Sequence, residues 1–284
     1  MNILIIGKNS YIGESVRDKL KKNGHTVREF DIRNNQIKPE DFCNIDCVIH
    51  VAAIVHRKDI KSYDIYKKVN VELPYNIALM AKQEGVAQFV FFSSMAVYKE
   101  RKSLKGSVID ENSEIYSQSF YGISKIEAEK LLKKIETDDF KIAYIRPANV
   151  YGKGCRGSYM ETFKKIVQML PVIPVAYDNV KQGMIYIENL TEIVRLIVEN
   201  KANGVFPVQD EKAVSSVEIM NEISDALKLK KHKSKLLGIP FRILKIKSVN
   251  KLYGGVAYSQ KYAYSELGNY NIYSFKEGIR RTYL

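Results

Sequence analysis

Five short apolar runs, at residues 3–6, 26–30, 47–51, 89–92 and 142–145, are spaced by longer stretches in which apolar residues recur with helical period. The helical stretches cover residues 11–22, 71–84 and 121–137. Apolar runs of this length suit strands buried on both faces, and strands separated by helices pair in parallel, each crossover covering a sheet face. The expected fold class is therefore α/β. After about Gly152 the pattern is less regular, although helical stretches recur at 161–169, 190–200, 216–227 and 239–251.

The first strand runs into Gly7-Lys8-Asn9-Ser10-Tyr11-Ile12-Gly13. A helix starting near Tyr11 would present unpaired N–H groups and a positive dipole end, which suit a pyrophosphate. Gly7 permits the tight turn, Gly13 lets the helix approach the sheet, and Ser10 fits the middle position if its φ is negative. The second strand ends in Asp31, 18 residues beyond Gly13, near the spacing of a carboxylate that accepts from an adenosine ribose. An acid there favours NAD over NADP, while Arg33 could hold a 2′-phosphate if Asp31 turned away. The expected architecture is a Rossmann-type doubly wound parallel sheet with a smaller C-terminal α/β substrate lobe. The dinucleotide-binding domain spans residues 1–152, and the lobe spans 153–284, with some segments returning to the first core.

A second constellation carries chemistry. The fourth strand leads into Ser93-Ser94-Met95-Ala96-Val97-Tyr98, and Tyr121 and Lys125 stand four apart at a helix start, on one face. An ammonium beside a phenol favours the phenolate, so Lys125 is expected to lower the pKa of Tyr121. Tyr121 could then exchange a proton with a sugar hydroxyl or ketone while hydride moves, with Ser94 orienting the same oxygen. Among 19 tyrosines the spacing alone is common by chance. Its place after the glycine turn, the acid and the strand-end serine is what distinguishes it.

In that order the motifs GKNSYIG (7–13), HVAA (50–53), VNV (69–71), FFSSMAVY (91–98), YGISK (121–125) and RPANVYG (146–152) resemble the extended short-chain dehydrogenases/reductases. The resemblance covers nearly the whole chain and is closest to the NAD-dependent epimerase/dehydratase group acting on nucleotide sugars. It implies that Gly7, Ser10, Tyr11, Ile12 and Gly13 hold the pyrophosphate and that Asp31, with Arg33 beside it, meets the ribose. Val51, Ala52 and Ala53 would pass along the cofactor, Asn70 would steady the neighbouring strand end, and Pro147 would lie near the nicotinamide. Ser94, Tyr121 and Lys125 would be catalytic. Asn149 matches a substrate-phosphate position, Met95 follows the catalytic serine, and Lys181 adjoins Gln182 where the family carries a phosphate-binding arginine. His50 reads as a core residue. The interval from Asp31 to Asp46 is short, so the family's third strand should be reduced or absent.

Met95 and Ala96 cannot transfer protons, which argues against a dehydratase. A 4-epimerase or a 4-keto-6-deoxy-sugar reductase acting on a UDP-sugar remains, of the kind used in polysaccharide biosynthesis. A non-catalytic NAD(P)-binding regulator is the alternative. The net charge of +13 points to an anionic partner, but no nucleic-acid motif accompanies it. The densest basic run, residues 228–235, is read as a solvated surface, and the basic amphipathic stretch 239–251 as a helix of the second lobe. Cys43, Cys47 and Cys155 form neither a disulfide framework nor a zinc site, and no metal is expected. No run is long enough for a membrane span and the start lacks a signal peptide, so a cytoplasmic protein is expected. Ile126, Leu131 and Leu132 are compatible with a homodimer through the helix that carries Tyr121.

Overall fold

The computed structural model describes residues 1–284 except 56–58, 60–61, 100–102, 111–112, 156–157 and 244–246. The first half runs β1 (Asn2–Ile6), α1 (Tyr11–Lys22), β2 (Thr26–Phe30), β3 (Cys47–His50), α2 (Tyr63–Tyr66), α3 (Leu73–Gln83), β4 (Gln88–Phe92), β5 (Val108–Ile109), α4 (Phe120–Ile135), β6 (Lys141–Pro147) and β7 (Asn149–Tyr151). The second runs α5 (Ser158–Met169), β8 (Ile173–Pro174), β9 (Met184–Tyr186), α6 (Ile187–Glu199), β10 (Gly204–Val208), α7 (Ser216–Ala226) and β11 (Lys233–Ser234). It closes with α8 (Ile239–Ile243), α9 (Lys247–Tyr253), β12 (Ala257–Tyr258), α10 (Lys261–Leu267) and α11 (Phe275–Tyr283).

Six strands form one parallel sheet in the order β10-β6-β4-β3-β1-β2. Period-two alternation sorts its side chains to two cores. Ile3, Ile5, Ile49, Val90 and Ile145 join Val16 and Leu20 of α1 and Leu190 and Ile193 of α6. Leu4, Ile6, Val48, Phe89 and Tyr144 join Ile77 and Ala81 of α3 and Ala128 and Leu132 of α4. Helices thus cover both faces, as the continuous apolar runs require. The sheet ends at β2, and between β2 and β3 lies only a 3-10 turn, Pro39–Phe42, in agreement with the short interval.

Two features differ from the sequence expectation. β10 returns from the second half to form the other sheet edge, an element not marked in the sequence. Pro207, which has no N–H to donate, sits on that edge strand, where proline is tolerated. The stretch 239–251, read as one helix, contains α8 and α9, with residues 244–246 outside the described set.

The second half of the chain adds α5, α7 and α11 and the short parallel pairs β7/β9 and β8/β11, whose apolar residues share one core with the α1/α6 face of the sheet. Asp210, just beyond β10, ties these parts together. Its Oδ1 accepts from the Tyr186 N–H (2.9 Å) and Asn189 Nδ2 (2.8 Å), and its Oδ2 from the Tyr151 hydroxyl (2.8 Å). Burial pushes its pKa up to about 6 against those hydrogen bonds.

Candidate functional site

Every strand end of the sequence constellation lies on one rim. β1 delivers Gly7, β2 Asp31, β3 Val51, β4 Ser94 and β6 Pro147, all at carboxyl ends of parallel strands. Gly7 has φ +126°, and a Cβ there would stand 2.7 Å from Val51 Cγ2 and 3.0 Å from the Ala52 nitrogen, so only glycine fits. Ser10 has φ −89° and caps α1, accepting from the Gly13 N–H at 3.1 Å. That leaves the Ser10 hydroxyl proton to donate outward. The first-turn N–H groups of a helix, here those of Tyr11 and Ile12 among them, have no intrahelical acceptors. The cradle therefore fits a dinucleotide pyrophosphate.

The Gly7 and Lys8 N–H groups donate to the Phe30 carbonyl, which holds Asp31 beside this turn. The Asp31 carboxylate accepts from the Arg33 N–H (3.1 Å), Arg33 Nε (3.2 Å) and Asn34 Nδ2 (2.8 Å). Desolvation raises its pKa, but these bonds outweigh it and hold the group below its ordinary value. Arg33 is thus paired with Asp31 rather than presented alone. Val51 and Ala52 donate to the Ile6 carbonyl, and Ala53 follows them across the rim. Asn70 lies in a π-helical segment, Lys67–Glu72. Its amide pairs with both the N–H (2.8 Å) and the carbonyl (2.9 Å) of Ile54 and donates to Ser124 Oγ (3.1 Å), tying the β3 exit to α4.

Ser119 caps α4, accepting from the Gly122 N–H. Gly122 packs so closely that a Cβ would lie 2.4 Å from the Ala96 carbonyl oxygen, in the turn after Ser94. This approach brings the Tyr121 phenol into a hydrogen bond with the Ser94 side chain. Lys125 is 1% exposed, donates to the Phe92 carbonyl at 2.7 Å, and lies 4.5 Å over the Phe91 ring and 5.9 Å from the Tyr121 ring centroid. Burial pushes Lys125 down to about 7, opposed by Glu129. The expected lowering of the Tyr121 pKa is not what this geometry produces: burial raises it, opposed only by the bond with Ser94. His50 is a core residue, stacked 6.1 Å from Phe89 and from Phe91, and burial holds it neutral, at about 3.

Two depressions are lined by residues that follow the strand ends. One, of about 720 Å³, is lined by Met95, Ala96, Tyr98, Tyr116, Ser117 and Ser119 among others. The second, of about 700 Å³, runs from Asn149 along Tyr159, Phe163 and Ile166 of α5 to Asn250 and Leu252 of α9. Lys181 is not brought to either. Its ammonium is 2.7 Å from Glu218 and faces a separate depression with Glu211 and Lys276. Its neighbour Gln182 turns inward instead, accepting from the Tyr159 hydroxyl and donating to Ser216 Oγ. Sequence reasoning also missed the buried Arg146–Glu129 pair. Arg146 Nε is 2.9 Å from Glu129, its Nη1 donates to the Tyr98 hydroxyl (2.7 Å), and Ser93 bonds the same carboxylate. The signal was an arginine inside an apolar strand, with Glu129 one helical turn beyond Lys125. Leu132 belongs to the core and is not available for pairing, whereas Ile126, packed near Val97, is only partly buried and borders a surface depression.

A parallel sheet with a glycine turn, a strand-end acid and a serine–tyrosine–lysine group on one rim defines a dinucleotide-binding α/β protein of the dehydrogenase/reductase type. The family model described as NAD dependent epimerase/dehydratase family matches residues 3–208, and the chain belongs to that family of NAD-dependent enzymes. The UDP-glucose 4-epimerase of Vibrio cholerae is 30% identical over 228 residues, 78% of this chain and 69% of that protein. The N-acetyl-alpha-D-glucosaminyl-diphospho-ditrans,octacis-undecaprenol 4-epimerase of Escherichia coli O157:H7 is 27% identical over 249 residues, 81% of this chain and 73% of its own. In fold, the chain is similar to the UDP-glucuronic acid 4-epimerase of Bacillus cereus in complex with NAD. The TM-score is 0.77 at 18% identity, over 100% of this chain and 95% of that one. Among the described residues no helix is long and apolar enough to cross a membrane, and no cluster of metal-ligating side chains occurs.

Proposed function

We propose that this enzyme transfers hydride at C4 of a UDP-sugar, as a 4-epimerase or a 4-keto-6-deoxy-sugar reductase. The observation that carries this reading is the hydrogen bond between Tyr121 and Ser94 at the rim, one helical turn from Lys125. When bound, NAD would accept hydride from the sugar carbon or return it. The chain's own groups manage the proton and the geometry. Ser94 holds the C4 oxygen, and Tyr121 takes its proton as the carbonyl forms or returns one as the alcohol forms. A positive charge near the phenol, as an oxidised nicotinamide would supply, would favour the phenolate and oppose the rise that burial imposes. Lys125 holds the nicotinamide ribose, and Pro147 lines the same end. Gly7, Ser10, Tyr11, Ile12 and Gly13 hold the pyrophosphate, and Asp31 accepts from the adenosine ribose. Val51, Ala52 and Ala53 line the path between, with Asn70 fixing the neighbouring loop. Met95 borders the sugar and Asn149 meets the substrate diphosphate. Lys181, committed to Glu218, is left out of this set.

Tyr121→Phe keeps the ring and removes the proton. It is expected to fold and to bind NAD while turnover across a panel of UDP-sugars, followed by NMR, falls by about 10²-fold or more. Full activity in the variant would overturn the mechanism. The same panel separates isomerisation from net reduction. Pairing of two copies along α4 is proposed alongside, supported by the shallow apolar depression at Ile115, Ile126 and Val205 and read by sedimentation velocity.

A further inference from the structure

One surface of the second lobe takes no part in this chemistry. Between Asp225 and Glu266 the chain carries ten Lys and Arg residues and no carboxylate, most of the net charge of +13. Within that interval large apolar side chains face solvent: Leu236 is 74% exposed and Ile243 72%, with Leu229, Leu237 and Ile239 also exposed. The end of α5 adds Met169, 81% exposed, and Leu170.

These residues form one neighbourhood. β8 and β11 pair in parallel, Ile173 with Lys233 and Pro174 with Ser234. Met169–Leu170 and Leu229 therefore enter the pair from the same end, and Lys231 Nζ donates to the Leu170 carbonyl. Leu236, Leu237 and Ile239 leave at the other end, about 7 Å away. The Tyr177 hydroxyl bonds the Arg242 carbonyl, and Phe241 packs on Tyr253, which fixes α8 against the lobe. Lys228, Lys230, Lys233, Lys235 and Arg242 are exposed around this apolar centre.

A soluble surface rarely leaves so much apolar area uncovered, and an acid-free stretch of this length calls for an anionic partner. Exposed apolar side chains interleaved with lysines match one environment on both counts: acyl chains beneath anionic headgroups. We propose that this face docks on the surface of an anionic lipid bilayer, its leucines and isoleucines entering the headgroup boundary and its lysines meeting the lipid phosphates.

The placement has a geometric corollary. The depression that starts at Asn149 is walled by α5 and α9. α5 continues from Tyr159 to the exposed Met169, roughly 15 Å along its axis. α9 follows α8 in the chain. Both walls lead into the docking face, so the depression opens at headgroup level.

The test uses the full chain and vesicles of phosphatidylcholine with or without phosphatidylglycerol, read by co-sedimentation. Binding to the phosphatidylglycerol vesicles is expected, weakening as salt is raised. Leu236→Asp combined with Ile243→Asp should reduce it about tenfold or more, as should replacement of Lys228, Lys230, Lys233 and Lys235 by Gln. All six positions are exposed, so both variants should keep the parent melting temperature and the parent turnover of any soluble sugar substrate. No binding, or equal binding to both vesicle types, overturns the proposal. So does a dimer in sedimentation velocity that the Asp variant dissolves, since a second copy would then cover the face. The result does not depend on the reaction assigned above, because none of these residues belongs to the site.

Discussion

A lysine shut away from solvent must find an acceptor or lose its proton, and Lys125 does some of each. The Phe92 carbonyl accepts from it, yet burial still pulls it to about 7, against an ordinary 10.5. Above pH 7 the folded chain has released this proton while the unfolded chain keeps it until about pH 10.5. Unfolding then takes up a proton, so stability contributed by this position rises with pH between those values. Measured by urea denaturation of the ligand-free protein, the parent should gain on Lys125→Met by about 1 kcal/mol per pH unit from pH 7 to 9. A flat difference would show that the ammonium stays charged in the fold. The Tyr–Lys pairing was legible in the sequence. The direction of both shifts was not, because spacing reports proximity whereas desolvation depends on every neighbour, including Phe91 and the Phe92 carbonyl.

At the scale of elements, the strands of the first half were legible because each is apolar throughout and ends where the period changes. β10 was not, since its five residues include Pro207 and a half-exposed start. Of the site, the glycine turn, Asp31 and the Ser94–Tyr121–Lys125 set could be read from order and spacing. The partners of Gln182, Arg146 and Glu129 could not, because a buried polar pair outside a motif leaves no order or spacing that singles out its partner, even where an arginine inside an apolar strand marks one member. The π-helical segment Lys67–Glu72 carries a buried Asn70 that serves two backbone groups of Ile54 and the Ser124 hydroxyl. Asn70→Ala would leave those groups without that partner. It should cost about 1–3 kcal/mol in chemical denaturation. It should also weaken NAD binding in calorimetry, since the β3 exit loses its tie to α4. An unchanged affinity would restrict Asn70 to a structural part.

For the whole molecule, Asp210 joins sheet and lobe, holding Tyr186, Asn189 and Tyr151 from β9, α6 and β7. Its folded pKa of about 6 lies above the ordinary 3.8. Between pH 4 and 6 the native state keeps a proton that the unfolded chain has lost, so this group's contribution to stability falls as pH rises through that window. In Asp210→Asn that slope should disappear. Comparing the two melting temperatures at pH 4 and pH 6 reads it: the parent should lose ground to the variant on going to pH 6. Parallel curves would mean that the carboxylate is already ionised at pH 4.

Stopping the sheet at β2 also has an outcome for how such a chain can change. Asp31, Arg33 and Asn34 bond chiefly to one another on an outer margin, with Arg33 two-thirds exposed, and among the described residues no further strand pairs beyond β2. On the proposed reading, in which Asp31 meets the adenosine ribose, coenzyme preference can therefore drift by exchanging a few margin residues, leaving the packed interior and Tyr121 as they are.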